Sequence, residues 1–393
     1  MNYLLGLVFS FTLVAQAQEV KPETAPIAVA SAPEILPVTL AKPPTPEFEK
    51  KIDLNGDLRY RMQAITAGTK EERRVHRLMF RVGQTIQPIQ DLKITYRLLT
   101  GTAANSGSVT LGDSKAPGSP RQPIGLDLAY ATFPLNDEAQ IYIGKYPQLT
   151  YSPGKNQLIL DRDISPEGAG LQYKTKFLDD RLLATFNLGS AWLREKYDDT
   201  LGQDLTDAFL NTAQLNLTYK LSDFQFLIGY GIFSYTSIKD DVPASFAVGA
   251  TSPRGNTLDL LGNYQYQYEI TQNYLEIKWI QKPFDISIFA ELDQNTAAPS
   301  SLNKAAVYGL TLSYSNWSFS FMQQKIEKDA VLALYSDSDF ADNQTSSRGY
   351  IAAVGYRINK AALVSFTYYK NQQAIDLIPI YYTRSHIDFT FNF

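Results

Sequence analysis

The chain has 393 residues, of which 44% are apolar, 12% aromatic and 19% charged, a composition that excludes a disordered class. A formal net charge of −4 gives no global nucleic-acid signal, so no nucleic acid is expected as a partner. Cysteine is absent, which is permissive of an oxidising compartment without being diagnostic of one.

The chain begins "MNYLLGLVFSFTLVAQAQEV". An apolar core from Leu4 to Val14 precedes Ala15-Gln16-Ala17, a small-x-small cleavage pattern, and is too short to span a bilayer as a helix. Residues 1–17 are therefore expected to be a signal peptide; its basic flank is missing, and only the amino terminus supplies charge. No cysteine follows, which excludes a lipoprotein anchor. Residues 18–49 carry Pro22, Pro26, Pro33, Pro37, Pro43, Pro44 and Pro46 and are expected to form an extended periplasmic tail or linker. Beyond them no apolar run is long enough for a transmembrane helix.

From residue 52 the hydrophobic period is two. Ile52, Leu54, Leu58, Tyr60, Met62 and Ala64 alternate with Asp53, Asn55, Asp57, Arg59, Arg61 and Gln63. Leu78, Phe80 and Val82 then alternate with Arg77, Arg81 and Thr85, and Leu92, Ile94, Tyr96 and Leu98 with Lys93, Thr95 and Arg97. Successive strand side chains face opposite ways, so each run has one oily and one polar face. The pattern recurs to the last run, where Ile387, Phe389, Phe391 and Phe393 alternate with His386, Asp388, Thr390 and Asn392. A soluble sandwich also alternates. Two features favour a membrane barrel instead: the runs exceed the usual sandwich strand, and short links such as Ser315–Asn316 alternate with long ones such as 147–167 and 328–348.

Sixteen runs follow from this count, with eighteen as the alternative if 237–270 holds another hairpin. The fold class expected over 50–393 is therefore all-β, a transmembrane antiparallel barrel with short periplasmic turns and long extracellular loops. An even count puts both chain ends on the short-turn rim, where the Pro-rich tail needs to be. Closure follows because hydrocarbon leaves no partner for an open sheet edge. A lipid-facing Arg at mid-depth costs about 2–4 kcal/mol, so Arg77, Arg81, Lys93 and Arg97 together would cost roughly 8–16 kcal/mol on the wrong face. They are expected to point inwards, into a wet interior.

The terminal Phe391-Asn392-Phe393 resembles the signal read by the barrel-assembly machinery of Gram-negative bacteria. "NGDLRYRMQ" (55–63), "HRLMFRVGQTIQPIQDLKITYRLLTG" (76–101), "LDLAYATFP" (126–134), "IYIGKYP" (141–147) and "ILDRDISPEGAGLQY" (159–173) resemble, in that order, the porin family of Gram-negative outer membranes. The likeness covers roughly 50–393 and is densest before residue 175; the Pro-rich tail stands where such proteins often carry a helical segment. The resemblance implies a water-filled passive channel in the bacterial outer membrane with an extracellular loop folded inward. Outer-membrane lipid, lipopolysaccharide and the assembly machinery, through Phe393, are then the expected partners, and a homotrimer is the assembly suggested by analogy.

The residues expected to carry function are a pore-lining basic wall and a constriction loop. Arg59, Arg61, Arg77, Arg81, Lys93 and Arg97 fall on neighbouring strands ~4.8 Å apart, partly offset by Asp53 and Asp57. Their bland alternative is a set of solvated barrel charges. Loop 147–167 offers Asp161, Arg162, Asp163 and Glu167; folded inward, its acids would oppose the basic wall and create a transverse field that orients polar solutes. The alternative is an ordinary external loop. His76 and His386 fall on opposite parities, which disfavours a shared catalytic site, and no catalytic residue, metal or cofactor is expected. Asp337, Asp339 and Asp342 are expected in a solvated extracellular loop, with surface calcium as the sharper alternative. The sequence thus points to passive diffusion of small hydrophilic solutes or ions, with anion preference as the finer form. A plugged barrel serving as surface scaffold, adhesin or phage receptor is the competing class.

Overall fold

The computed structural model describes residues 51–101, 107–113, 117–198, 203–204, 206–246 and 252–393. The expected signal peptide and Pro-rich tail lie outside the described residues. In chain order the strands are β1 (Lys51–Ala67), β2 (Arg73–Ile89), β3 (Leu92–Thr100), β4 (Val109–Leu111), β5 (Ile124–Pro134), β6 (Ala139–Lys145), β7 (Glu167–Phe177) and β8 (Leu182–Arg194). A two-stranded excursion, β9 (Tyr197–Asp198) and β10 (Gln203–Asp204), precedes β11 (Ala208–Leu221), β12 (Phe224–Tyr235), β13 (Tyr268–Gln281) and β14 (Phe284–Asn295). The last five are β15 (Lys304–Tyr314), β16 (Trp317–Ile326), β17 (Ser347–Arg357), β18 (Ala362–Gln373) and β19 (Ile380–Asn392).

Every pairing is antiparallel between neighbours, and β1 pairs with β19 from Asp57↔Asn392 to Ala67↔Tyr382, so the sheet has no open edge. Strand β2 pairs with β3 along one stretch and with β4 along another, which makes β3 and β4 one interrupted stave. The closed barrel therefore has 16 staves. The expected count of sixteen stands over eighteen: the segment between β12 and β13 adds no stave, and its "LDLLGNY" forms only a small turn bridged at Leu258↔Tyr264.

The two faces are inverted relative to a soluble protein. On β14, Ile288 and Leu292 are 60% and 62% exposed, whereas Ser287, Glu291 and Asp293 are 3% or less. Apolar side chains outside and polar ones inside is the arrangement hydrocarbon imposes. Aromatic rings gather at the short-turn rim, where Trp317 meets Tyr356 at 4.7 Å and Phe284 meets Tyr314 at 4.8 Å between centroids. Such a girdle marks the level of the headgroups. The tight turns on this rim put Ser222 and Ser315 at positive φ, as narrow hairpins require. Chain closure uses the same rim: Gly56 and Phe393 exchange two backbone hydrogen bonds of 3.0 Å, and the Phe393 ring stacks on Phe80.

One part of the interior departs from the expectation of wetness. At the long-loop end of β11 to β18 the inner face turns apolar, with Phe233, Tyr235, Ile270, Val307, Ile326 and Ile351 buried. These side chains meet Leu158–Leu160, Phe246, Tyr264 and Ala330–Leu332 from three connecting segments, forming a packed core inside the barrel. At that end of the barrel the interior is dry, against the expectation.

Candidate functional site

The alternation of β1 to β3 places all six cations of the basic wall on the inner face, the parity opposite Ile52, Leu54, Phe80, Ile94 and Leu98, which are exposed on the outside. Their partners divide them. Arg81 makes a two-pronged contact with Asp57 at 2.8 and 3.2 Å. Arg97 reaches Asp127 at 2.5 Å. Arg61 is held by Asp388 of β19 at 2.7 and 2.9 Å and by Asp339 at 3.0 Å. Arg59 donates to the Ser108 hydroxyl at 2.8 Å, and Arg77 to the Ser108 carbonyl at 3.3 Å. Among the described residues Arg59 and Lys93 form no ion pair, although Asp388, Asp163 and Asp339 lie within electrostatic range of Arg59.

Loop 146–166 folds into the lumen and lies on the opposite wall. The Tyr151 backbone N–H donates to the Gln214 side chain at 2.7 Å, the Tyr151 hydroxyl donates to Glu276, and Lys278 donates to Tyr151 at 3.2 Å. Asn156 donates to Glu291 at 2.8 Å, and Pro153 is buried. The four acids and bases assigned to this loop separate in space. Asp163 lies within electrostatic range of Arg59 and is the member that faces the basic wall. Asp161 does not: its carboxylate accepts the backbone N–H groups of Asp163 at 2.9 Å and Ser338 at 3.0 Å, which makes it a staple between loops. Arg162 is exposed, with its N–H on Gln157. Glu167 begins β7 on the outer parity and pairs with Lys145 at 2.5 Å, so it belongs to no constriction.

Loop 327–346 also folds inward, which corrects the expectation of a solvated external segment. Asp337 is buried, Asp339 pairs with Arg61 and with Arg384 at 2.5 Å, and Asp342 pairs with Arg384 at 2.9 Å. Guanidinium partners occupy Asp339 and Asp342, the Asp337 carboxylate accepts the Asp339 backbone N–H at 2.8 Å, and among the described residues no carboxylate–histidine cluster suits a metal ion. The two inward loops touch: Asp161 N–H donates to the Tyr335 carbonyl at 2.7 Å and Asp337 N–H to the Gln157 carbonyl at 3.1 Å. The segment between β12 and β13 braces them, with Asn256 donating to the carbonyls of Lys328 and Val331.

The histidines do lie apart. His76 faces outward and meets the Tyr60 hydroxyl at 2.6 Å, whereas His386 is buried inside. His386 nevertheless has an aspartate near it, Asp339 at 3.7 Å, brought by the inward loop rather than by a strand neighbour. Sequence reasoning missed Asp127 and Arg384, and it placed Asp339 outside the barrel rather than on Arg61 and Arg384. Asp127 sits where the pairing of β3 with β5 slips by a residue, and there the period of two fails as a guide. The other two join through a loop whose path no periodicity encodes.

No family model matches the sequence, and no curated protein matches it. The fold is similar to solved porins. OmpF of Salmonella typhi, solved with daunomycin, aligns at a TM-score of 0.52 and 14% identity over 88% of this chain and 98% of that one. OprB of Pseudomonas putida aligns at 0.56 and 10% identity over 87% and 94%. These likenesses establish the fold. The chain folds as a closed antiparallel β-barrel of 16 staves, the architecture of these porins.

Proposed function

We propose that this barrel is a porin through which small hydrophilic solutes and ions diffuse passively, with a preference for anions. The observation that carries the reading is the inward row of cations on β1 to β3 facing an inward loop that carries Asp163. Opposed charges across a narrow lumen create a transverse field, and Arg59 and Lys93, which form no ion pair among the described residues, favour anions. On this reading the partners are outer-membrane lipid, lipopolysaccharide and the machinery that recognises Phe393; unheated gel migration checks the homotrimer suggested by the resemblance. Purified protein in a planar bilayer under a salt gradient is expected to give stepwise currents with a reversal potential displaced towards that of chloride. Absence of current rejects the channel, and a potential displaced towards the cation rejects the preference.

A second reading has its own support. Three segments pack a dry core inside the long-loop end, which suits a plugged barrel used as a surface scaffold, adhesin or phage receptor. Liposome swelling separates the two, because a plugged barrel admits no sugar.

A further inference from the structure

The carboxylate of Asp339 is gripped from two staves that meet at the barrel seam. One oxygen lies 3.0 Å from Arg61 of β1 and the other 2.5 Å from Arg384 of β19, with His386 of β19 at 3.7 Å. The pocket around it has more donors than Asp339 uses. Arg384 Nε is a buried N–H with no hydrogen-bond partner among the described residues. Arg59 and Arg77, which hold Ser108, lie within electrostatic range of Asp339. The anionic groups facing these guanidinium groups are Asp388, which holds two nitrogens of Arg61, Asp342 on Arg384, Asp163 near Arg59, and the buried Asp337.

The tether that delivers Asp339 is under backbone strain. Ala341, Asp342 and Asn343 follow it with φ of 49°, 57° and 62°, a left-handed run that L residues disfavour. Its tip is held to the wall by Ala341 N–H to the Asn371 side chain at 3.2 Å, Gln373 to the Ala341 carbonyl at 2.5 Å, and Arg384 to the Ser338 carbonyl at 3.2 Å and to Asp342 at 2.9 Å, with Phe340 and Ala341 buried in the inner core. Planar guanidinium forks fit carboxylate and phosphate oxygens alike.

We propose that Arg61, Arg384 and His386, backed by Arg59 and Arg77, form a binding station for a solute oxyanion, and that Asp339 occupies it as a tethered, displaceable substitute. The proposal deepens the anion-channel reading and rests on it. An incoming phosphate or carboxylate takes the place of the Asp339 carboxylate between Arg61 and Arg384, gains the unpartnered Arg384 Nε, and releases the strained 337–343 tip. Passage of oxyanions is thereby coupled to movement of a loop other than the one that carries Asp163.

The test uses the full chain in detergent and in bilayers, with inorganic phosphate and succinate as separate probes and chloride as control. Tethered competition lowers apparent affinity by the fraction of time the site is self-occupied. Asp339→Asn is therefore expected to bind phosphate, succinate or both at least about tenfold more tightly by calorimetry, and adding Arg384→Gln to abolish the gain. The probe that gains identifies phosphate or carboxylate as the solute chemistry. Equal affinity of both probes for the two proteins, or loss of binding in Asp339→Asn, overturns the proposal. If Asp339→Asn gives no heat-modifiable folded band, Asn371→Ala serves in its place: it leaves every charge in position, a several-fold tightening supports the station, and no change rejects it. Binding without current retains the station and removes the channel reading; current without tightening retains the channel and removes the station.

Discussion

The backbone of Gly154 lies against the ring of Phe289, so closely that a Cβ added to Gly154 would sit 2.0 Å from Cε1 of that ring. Gly154 also has φ of +58°. Glycine thus answers two demands at once: a left-handed turn, and contact between the inward loop and the inner wall. Loop 146–166 is laid on β14 through this contact and through Asn156 and Glu291.

Substituting Gly154→Val removes both conditions. The left-handed conformation alone costs roughly 1–2 kcal/mol for a residue with a Cβ, and the new methyl groups have no room. Loop 146–166 is expected to lift from β14 and single-channel conductance to rise, while the barrel keeps its heat-modifiable migration. Unchanged conductance in folded protein would show that this loop does not limit the passage.

The junction of the two inward loops is expected to respond to pH. Burial, with Asp163 beside it, raises the Asp161 carboxyl to about 6, and burial with Asp339 and Asp161 nearby raises Asp337 to about 7. Both folded values exceed the ordinary range, so the folded form holds more protons than the unfolded chain from about pH 4 to pH 7. The junction is therefore firmest in acid and weakens as pH rises through those values. At about 1.4 kcal/mol per unit, the change on Asp161 is worth roughly 3 kcal/mol. Conductance is expected to be smaller at pH 5 than at pH 8, and Asp161→Asn to flatten the difference.

Asp163 and Asp161 are expected to separate in selectivity measurements. Asp163→Asn removes the charge facing Arg59 and shifts the reversal potential further towards that of chloride. Asp161→Asn, whose parent side chain is a loop staple, alters conductance more than selectivity. Identical shifts from both variants would contradict the assignment.

The seam depends on small size at Gly56. A Cβ there would lie 2.4 Å from Cζ of Phe393 and 2.5 Å from the Arg81 carbonyl. Gly56→Leu is expected to reduce the yield of heat-modifiable barrel on refolding into vesicles, and truncating Phe393 to reduce it through loss of the same contact. Normal yield from both would remove the seam from the assembly step.

On the lipid side, Leu215 lies midway along β11 and is exposed. Leu215→Arg is expected to lower stability by about 2–4 kcal/mol in urea titrations from vesicles. A change near zero would place that face in water.

Stave number, closure and the inward direction of Arg59, Arg61, Arg77, Arg81, Lys93 and Arg97 were legible because one chemical rule acts at every second residue. The rule fails where two oily environments flank a strand. Phe233 and Ile232 are neighbours on β12 with opposite directions, one buried in the inner core and the other exposed outside. Both are apolar, so the alternation vanishes from the sequence there, and with it any sign that the interior is packed. The aspartates of 335–343 were visible as a group, but their direction depends on Arg384 and Arg61, about forty and nearly three hundred residues away in the chain. Asp161 and Asp163 differ by two positions and look alike as letters. Only the path of the second loop assigns one to a staple and the other to the wall.

The inner core also divides the barrel mechanically. From β11 to β18 the sheet has solid backing at one end, while from β19 through β1 to β7 it is spanned by charge pairs such as Arg61 with Asp388 and Arg81 with Asp57. A hoop reinforced along one arc is expected to flex along the other, so squeezing by a surrounding bilayer would be taken up mainly where the arginines stand.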